Sequence, residues 1–339
     1  MPIEYPRSGS GGGGASPAFC LPTTYLVYLS GGTYYAKSSV SGSITSYANL
    51  AALFNALQAE YTKFYLLNNG GAAMALGAKV TLNKMQQAID CDPGVVVNVA
   101  QGGQFSWEPD ANAPNTGNKG LYLGPIHFDG SSGTTTPVFT TENMPSANRA
   151  ESLHMWGTEF WSFQAADPII RLMNIEESYL QKCRILGTKP DPAYAAIWID
   201  ALGYNPGNLH IEDGFMSGWQ NGANHIYRMI GVSSPSATKI PTSIYVEKMH
   251  FLDNGSNWST KALTFDTPTN TIWQVYFRDN RLENVDVLDW TAASTHNAKY
   301  CDISRNKVFT SGTQDVYVVN LGKDTGYNGV LVDSDITDN

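Results

Sequence analysis

The sequence predicts an all-β fold, a right-handed parallel β-helix preceded by a hairpin and a capping helix. Three observations point there. A pair of apolar residues five positions apart, bracketing a polar corner, recurs along the chain. A second apolar run lies between consecutive corners, and only one segment carries convincing helical periodicity. Composition agrees: of 339 residues only 15% are charged, while 32 are Gly and 18 are Tyr, a balance suited to short strands and turns.

The corner pairs are Leu180 and Ile185 in "SYLQKCRILG", Ile211 and Met216, Val246 and Phe251, Phe277 and Leu282, Ile303 and Val308 in "CDISRNKVFTSG", and Leu331 and Ile336. Their first members lie 31, 35, 31, 26 and 28 residues apart, a drifting period that loops of unequal length would produce. Earlier turns are read at Met155 and Phe160 and at Leu121 and Ile126. Between corners fall "AAIWID", "HIYRMI", "KALTFD", "NVDVLDW" and "DVYVVN". A unit of two or three short strands cannot bury its inward face alone, so successive units must stack, pairing equivalent strands in parallel about 4.8 Å apart. Parallel crossovers are strongly right-handed, which sets the expected hand. A β-sandwich would also give apolar runs at this spacing, but nothing in it would preserve one five-residue corner six times.

The chain divides into a Gly/Ser-rich arm over residues 1–18, a hairpin plus capping helix over 19–62, and the β-helix over 63–339. "TYLVYLSGGTYYAK" reads as two Tyr-rich strands around Ser30, Gly31 and Gly32. In "SYANLAALFNALQAEY", Leu50, Leu53, Phe54 and Leu57 share one helical face, with Ser46 a candidate N-cap. Such a helix would plug the first coil, which otherwise exposes strand edges and core. The solenoid is expected to start near "KFYLLNN". At the far end, Asp333, Asp335 and Asp338 would blunt the last edge, or another subunit would cover it.

A net charge of -9 with no Lys/Arg run argues against nucleic acid or an anionic membrane as partner. No apolar run is long enough for a membrane span, and the first residues lack the basic and apolar regions of a secretory leader. The four Cys and six His show no ligand spacing, so no metal and no cofactor are expected. Cys183 and Cys301 fall four coils apart, about 19 Å, too far for a disulfide. The triplets at Asn254 and Asn257 match the glycosylation pattern and mark a surface loop.

If the first members of the corner pairs point inward, alternation sends their neighbours out. One outward column is then His210, Tyr245, Tyr276 and Asp302, and the next is Glu212, Glu247, Arg278 and Ser304. Aromatic faces suit sugar rings while carboxylates and Arg bind hydroxyls, which makes His210, Tyr245, Tyr276 and Arg278 candidate glycan-binding residues, with Trp219 and Trp258 in loops. Glu212 and Glu247, on adjacent strands, could meet the carboxyl separation of about 5 to 5.5 Å used by retaining glycosidases. The competing expectation is a solvated face on which Glu247 pairs with Arg278.

The repeat resembles the right-handed β-helix, or pectin-lyase-like, superfamily over roughly residues 24–339. The segment "YLVYLSGGTYYAKSSVSGSITSYANLAALFNALQ" is similar to the leading segment of β-helix proteins of archaea, bacteria and their viruses. The resemblance implies fold first. Its enzymes' motifs are absent: there is no Asn-Thr-Asp, Asp-Asp, Gly-His-Gly and Arg-Ile-Lys series, and "IWID" is followed by Ala201 instead of His. The expected function is therefore a spike or fibre of a viral particle. It would sit on the virion or an extracellular surface, assemble as a homo-oligomer such as a trimer, join other particle proteins through its N-terminal arm, and bind host polysaccharide. A polysaccharide hydrolase or lyase, and a cellular surface or filament protein, are the alternatives.

Overall fold

The computed structural model describes residues 23–68, 70–109, 118–130, 136–141, 149–163, 168–186, 194–201, 205–218, 228–235, 238–253, 260–266, 271–290, 297–310, 319–320, 330–332 and 335–337. The N-terminal arm, His225, Cys20, Trp219, Trp258, Asn254, Asn257, Asp333 and Asp338 lie outside these residues. Among the described residues, one sheet has thirteen strands, two have nine each, and a small fourth has three. Every pairing from Lys63–Leu66 onward is parallel, and each strand's neighbours are its equivalents one coil before and after. The chain is a parallel β-helix.

The register identifies the coil repeat. Phe64, Ile89, Leu123, Met155, Leu180, Ile211, Val246, Phe277, Ile303 and Ile336 are successive partners in the long sheet. Coils range from 25 residues, Phe64 to Ile89, to 35 residues, Ile211 to Val246. Two readings of the repeat are corrected. Leu123 and Phe128, and not Leu121 and Ile126, align with Met155 and Phe160. Both pairs are buried and five apart, so spacing alone could not choose between them. At the other end Ile336, and not Leu331, is the partner of Ile303, while Leu331 pairs with Ala298 in the small fourth sheet.

The corner between the long and second sheets depends on one residue in the left-handed region. Lys182, Asp213, Lys248, Asp279 and Arg305 have φ of 55°, 55°, 55°, 58° and 55°, and Gly157 holds the same place at 67°. That conformation costs a non-Gly residue about 1–2 kcal/mol. It persists because both flanking backbone groups remain in the ladder. Lys182 N–H donates to Glu212 O (2.9 Å) in the next coil, and Arg184 N–H donates to Thr158 O (3.0 Å) in the previous one. The residue after each left-handed position turns inward: Cys183, Gly214, Met249, Asn280 and Asn306 are all buried. At the last two, Asn280 Nδ2 donates to Val246 O and to Asn306 Oδ1 (both 3.0 Å), and Asn306 Nδ2 donates to Phe277 O (3.0 Å).

Inside the coil Phe128 stacks on its register partner Phe160 with ring centroids 5.4 Å apart, and other rings meet between sheets, Phe105 edge-on to Phe128 (5.7 Å) and Phe251 against Phe277 (5.6 Å). At the N-terminal end three strands, β1 (Thr24–Ser30), β2 (Thr33–Ser38) and β3 (Ile44–Tyr47), run antiparallel, and β1 pairs in parallel with Lys63–Leu66. Helix α1 (Leu50–Leu57) buries Leu50, Leu53 and Phe54 over the open core, with Phe54 against Phe64 (4.6 Å) and Phe105 (5.6 Å). Its N-cap is Asn49, whose Oδ1 accepts from Ala52 N–H (2.8 Å); Ser46 sits within β3 and cannot serve. Two α1 amides extend the ladder of the third sheet: Asn55 Nδ2 donates to Lys79 O (3.0 Å), and Gln58 Nε2, just past the helix, donates to Thr81 O (2.6 Å). In return their oxygens accept from Thr81 N–H (2.8 Å) and Asn83 N–H (3.1 Å).

Cys91, Cys183 and Cys301 are free and buried, as the four-coil separation of the last two requires. Burial pushes the Cys183 and Cys91 thiols up to about 12. Neither is expected to react with a thiol reagent at pH 8 until urea unfolds the chain; modification of either in the native protein would contradict this packing. Asn280→Ala strips hydrogen bonds from buried backbone groups and is expected to cost about 1–3 kcal/mol in urea unfolding.

Candidate functional site

Among the described residues, outward positions of the long sheet build an organised surface. Because Leu180, Ile211, Val246 and Phe277 point into the core, the residues before them stand outside: Tyr179, His210, Tyr245 and Tyr276. The column begins earlier, with Tyr122 and His154, so six rings follow one another across six coils. Centroid separations are 5.7, 6.0, 4.7, 4.4 and 4.7 Å from Tyr122 to Tyr276. From Tyr179 onward the rings are nearly coplanar in orientation, tilted by 13°, 6° and 9°.

This geometry changes what the aromatics can offer. A ring sandwiched at 4.4–4.7 Å has both faces against its neighbours, so solvent meets its edge. The expected apolar platforms of His210 and Tyr245 are thus occupied. What projects outward is a row of phenol and imidazole edges.

The adjacent column is Trp156, Gln181, Glu212, Glu247, Arg278 and Ser304. A hydrogen-bond chain joins the two columns. His154 Nε2 donates to Gln181 Oε1 (2.9 Å), Gln181 Nε2 donates to Glu212 Oε2 (3.3 Å), and His210 Nδ1 donates to Glu212 Oε1 (2.8 Å). Farther along, Arg278 lies between Glu247 (2.7 Å) and Asp302 (3.6 Å), its guanidinium 4.8 Å from the Tyr276 ring centroid. Glu212 and Glu247 are register partners, as their placement required, and each already engages a partner of its own.

The structure therefore brings together His210, Tyr245, Tyr276, Arg278, Glu212 and Glu247. Tyr122, His154 and Tyr179 were missed by the sequence reading. Each precedes an inward residue of the repeat: alternation before Met155 and Leu180 gives His154 and Tyr179, whereas Leu121 as the repeat position hides Tyr122. Among the described residues no three His, Cys, Asp or Glu side chains converge as a metal-ligand set.

No protein-family model matches the chain, and no curated protein sequence does. Among solved structures it is similar to ORF18 of Geobacillus virus E2, at 10% identity and a TM-score of 0.39, over 89% of this chain and 68% of that one. It is also similar to PfbA, a surface adhesin of Streptococcus pneumoniae, at 9% identity. One PfbA structure gives a TM-score of 0.35 over 81% of this chain and 85% of that one, and a second gives 0.33 over 81% and 91%. At that distance the likeness carries no function across.

Burial, and then the neighbouring Tyr245, push the Tyr276 phenol above its ordinary 10.0. A phenol whose folded value is raised contributes its stability below pH 10.0 and loses it as pH climbs through the higher folded value. In a tyrosinate absorbance titration, Tyr276→Phe is expected to remove amplitude from the late, high-pH part of the curve. Loss from the ordinary range instead would mean that Tyr276 does not sit in the stack described.

Proposed function

We propose that the protein is a rod-shaped structural component of a viral particle or cell surface that holds a polysaccharide against the outer face of its long sheet. The observation supporting this most directly is the six-ring column from Tyr122 to Tyr276 with its charged neighbour column. Coil spacing of about 4.8 Å presents hydroxyls, imidazole nitrogens, carboxylates and a guanidinium at regular intervals, a pattern suited to the hydroxyls of a repeating polymer. Within this reading the ladder edges and Arg278 contact sugar hydroxyls, and Trp219 and Trp258, outside the described residues, remain proposed contributors.

On an array of neutral and acidic glycans the protein is expected to bind at least one class, and Tyr245→Ala, which opens the middle of the stack, to weaken that binding about tenfold. Absence of binding to any glycan would sink the reading. Assembly is tested by light scattering: an oligomer that dissociates when residues 1–18 are removed supports a particle protein joined through its arm, and a monomer in both forms argues against one.

The register pairing of Glu212 with Glu247 favours a second reading, a polysaccharide hydrolase using the two carboxyls. Glu212→Gln and Glu247→Gln would then abolish release of reducing ends, and full activity in both variants would end that assignment.

A further inference from the structure

Where the strands of the long sheet begin, a second surface runs parallel to the ring column. Each coil again places one residue in the left-handed region, and in the later coils these are Glu177, Asn208, Ser243, Gln274 and Tyr300, with φ between 48° and 57°. Around the middle of this stripe a cleft of about 380 Å³ opens, within the usual size of small-ligand sites, about 300–1,000 Å³. Its walls are mostly amides and hydroxyls: Asn205, Asn208, Thr242 and Ser243, with one acid, Glu176, and one base, Lys239. Glu176 and Lys239 carry opposite charges, so the lining itself carries little net charge. Gly207, also in its lining, lets the two coils approach closely, since a Cβ there would stand 3.2 Å from Thr242 O.

One coil further along, the stripe turns aromatic. Trp273 N–H donates to Pro241 O (2.9 Å), which fixes that residue beside Thr242. Thr242 Oγ1 and Ser243 Oγ both donate to Gln274 Oε1 (2.9 Å each), which leaves Gln274 Nε2 without a partner among the described residues. Trp273 is 38% exposed and Tyr300 49%, among the most exposed large side chains of the solenoid. Their rings meet at 82° with centroids 6.1 Å apart. An edge-on pair leaves ring faces open, which the coplanar stack does not.

We infer that this stripe is a second saccharide subsite, taking an uncharged hexose unit whose C–H face lies on Trp273 or Tyr300 and whose hydroxyls reach Asn208, Ser243 and Gln274. Neutral donors and acceptors satisfy sugar hydroxyls without the desolvation cost of a charged ligand, and the exposed indole supplies the flat apolar contact that the ladder withholds. The inference rests on the polysaccharide-binding reading and narrows it: the aromatic platform lies at the strand starts, with the charged column as a separate contact.

The test uses the full chain on one array of neutral hexose-containing glycans and acidic glycans, with Trp273→Ala, Asn208→Gly and Tyr245→Ala beside the wild type. Asn208→Gly removes the amide while keeping a residue suited to φ 51°. Expected are binding to neutral glycans, an approximately tenfold loss in Trp273→Ala and an approximately fivefold loss in Asn208→Gly, with unchanged melting temperatures. Retention of only acidic glycans, sensitive to Tyr245→Ala, overturns the subsite and leaves the broader reading standing. Neutral-glycan binding that is indifferent to Trp273→Ala does the same. No retention of any glycan overturns both.

Discussion

The coil-to-coil backbone ladder governs everything else in this molecule. Parallel pairing at about 4.8 Å makes each side chain's nearest neighbours the residues at its own position one coil before and one coil after. Compatibility is therefore decided column by column. Phenylalanine meets phenylalanine inside, ring meets ring outside, and Asn280 meets Asn306 at the corner. Charges follow the same rule where Glu247 faces Arg278 and Asp279 faces Arg305, while Lys63 and Arg278 also reach diagonally to Asp90 and Asp302, beside their register partners Ala88 and Ser304. Where like charges coincide, as at Glu151 and Glu176, Arg149 pairs with both.

The same rule explains how far the sequence could be read. The five-residue corner was visible because its two apolar residues must point inward whatever sits between them, as with Ile211 and Met216. The left-handed residue that makes the corner was not visible by type, because Lys182, Lys248 and Arg305 are poor advertisements for that conformation. Leu121 was mistaken for Leu123 since both face the core and only pairing separates them. The columns of the candidate site could be assigned from alternation alone. The orientation of the rings could not, because it depends on how neighbouring coils pack.

Two outer surfaces of one sheet thus differ in kind. The middle of the strands carries a stack whose members spend their faces on one another, linked by His154, Gln181, Glu212 and His210 into one hydrogen-bonded strip. The strand starts carry hydroxyls and amides, with Trp273 and Tyr300 crossing at a wide angle. The first surface is stacked and charged, the second open and near neutral, and they run side by side along the coil axis.

The amide lock at the N-terminal end has a chemical lifetime. Asn55 and Gln58 imitate a strand because a primary amide donates and accepts at once. Hydrolysis of either to the acid would remove the donor and set a carboxylate oxygen against the Lys79 or Thr81 carbonyl, turning a closed seam into a repulsive one. The end of the rod would then age from α1 inward, baring the edge of the third sheet while the remaining coils stayed stacked.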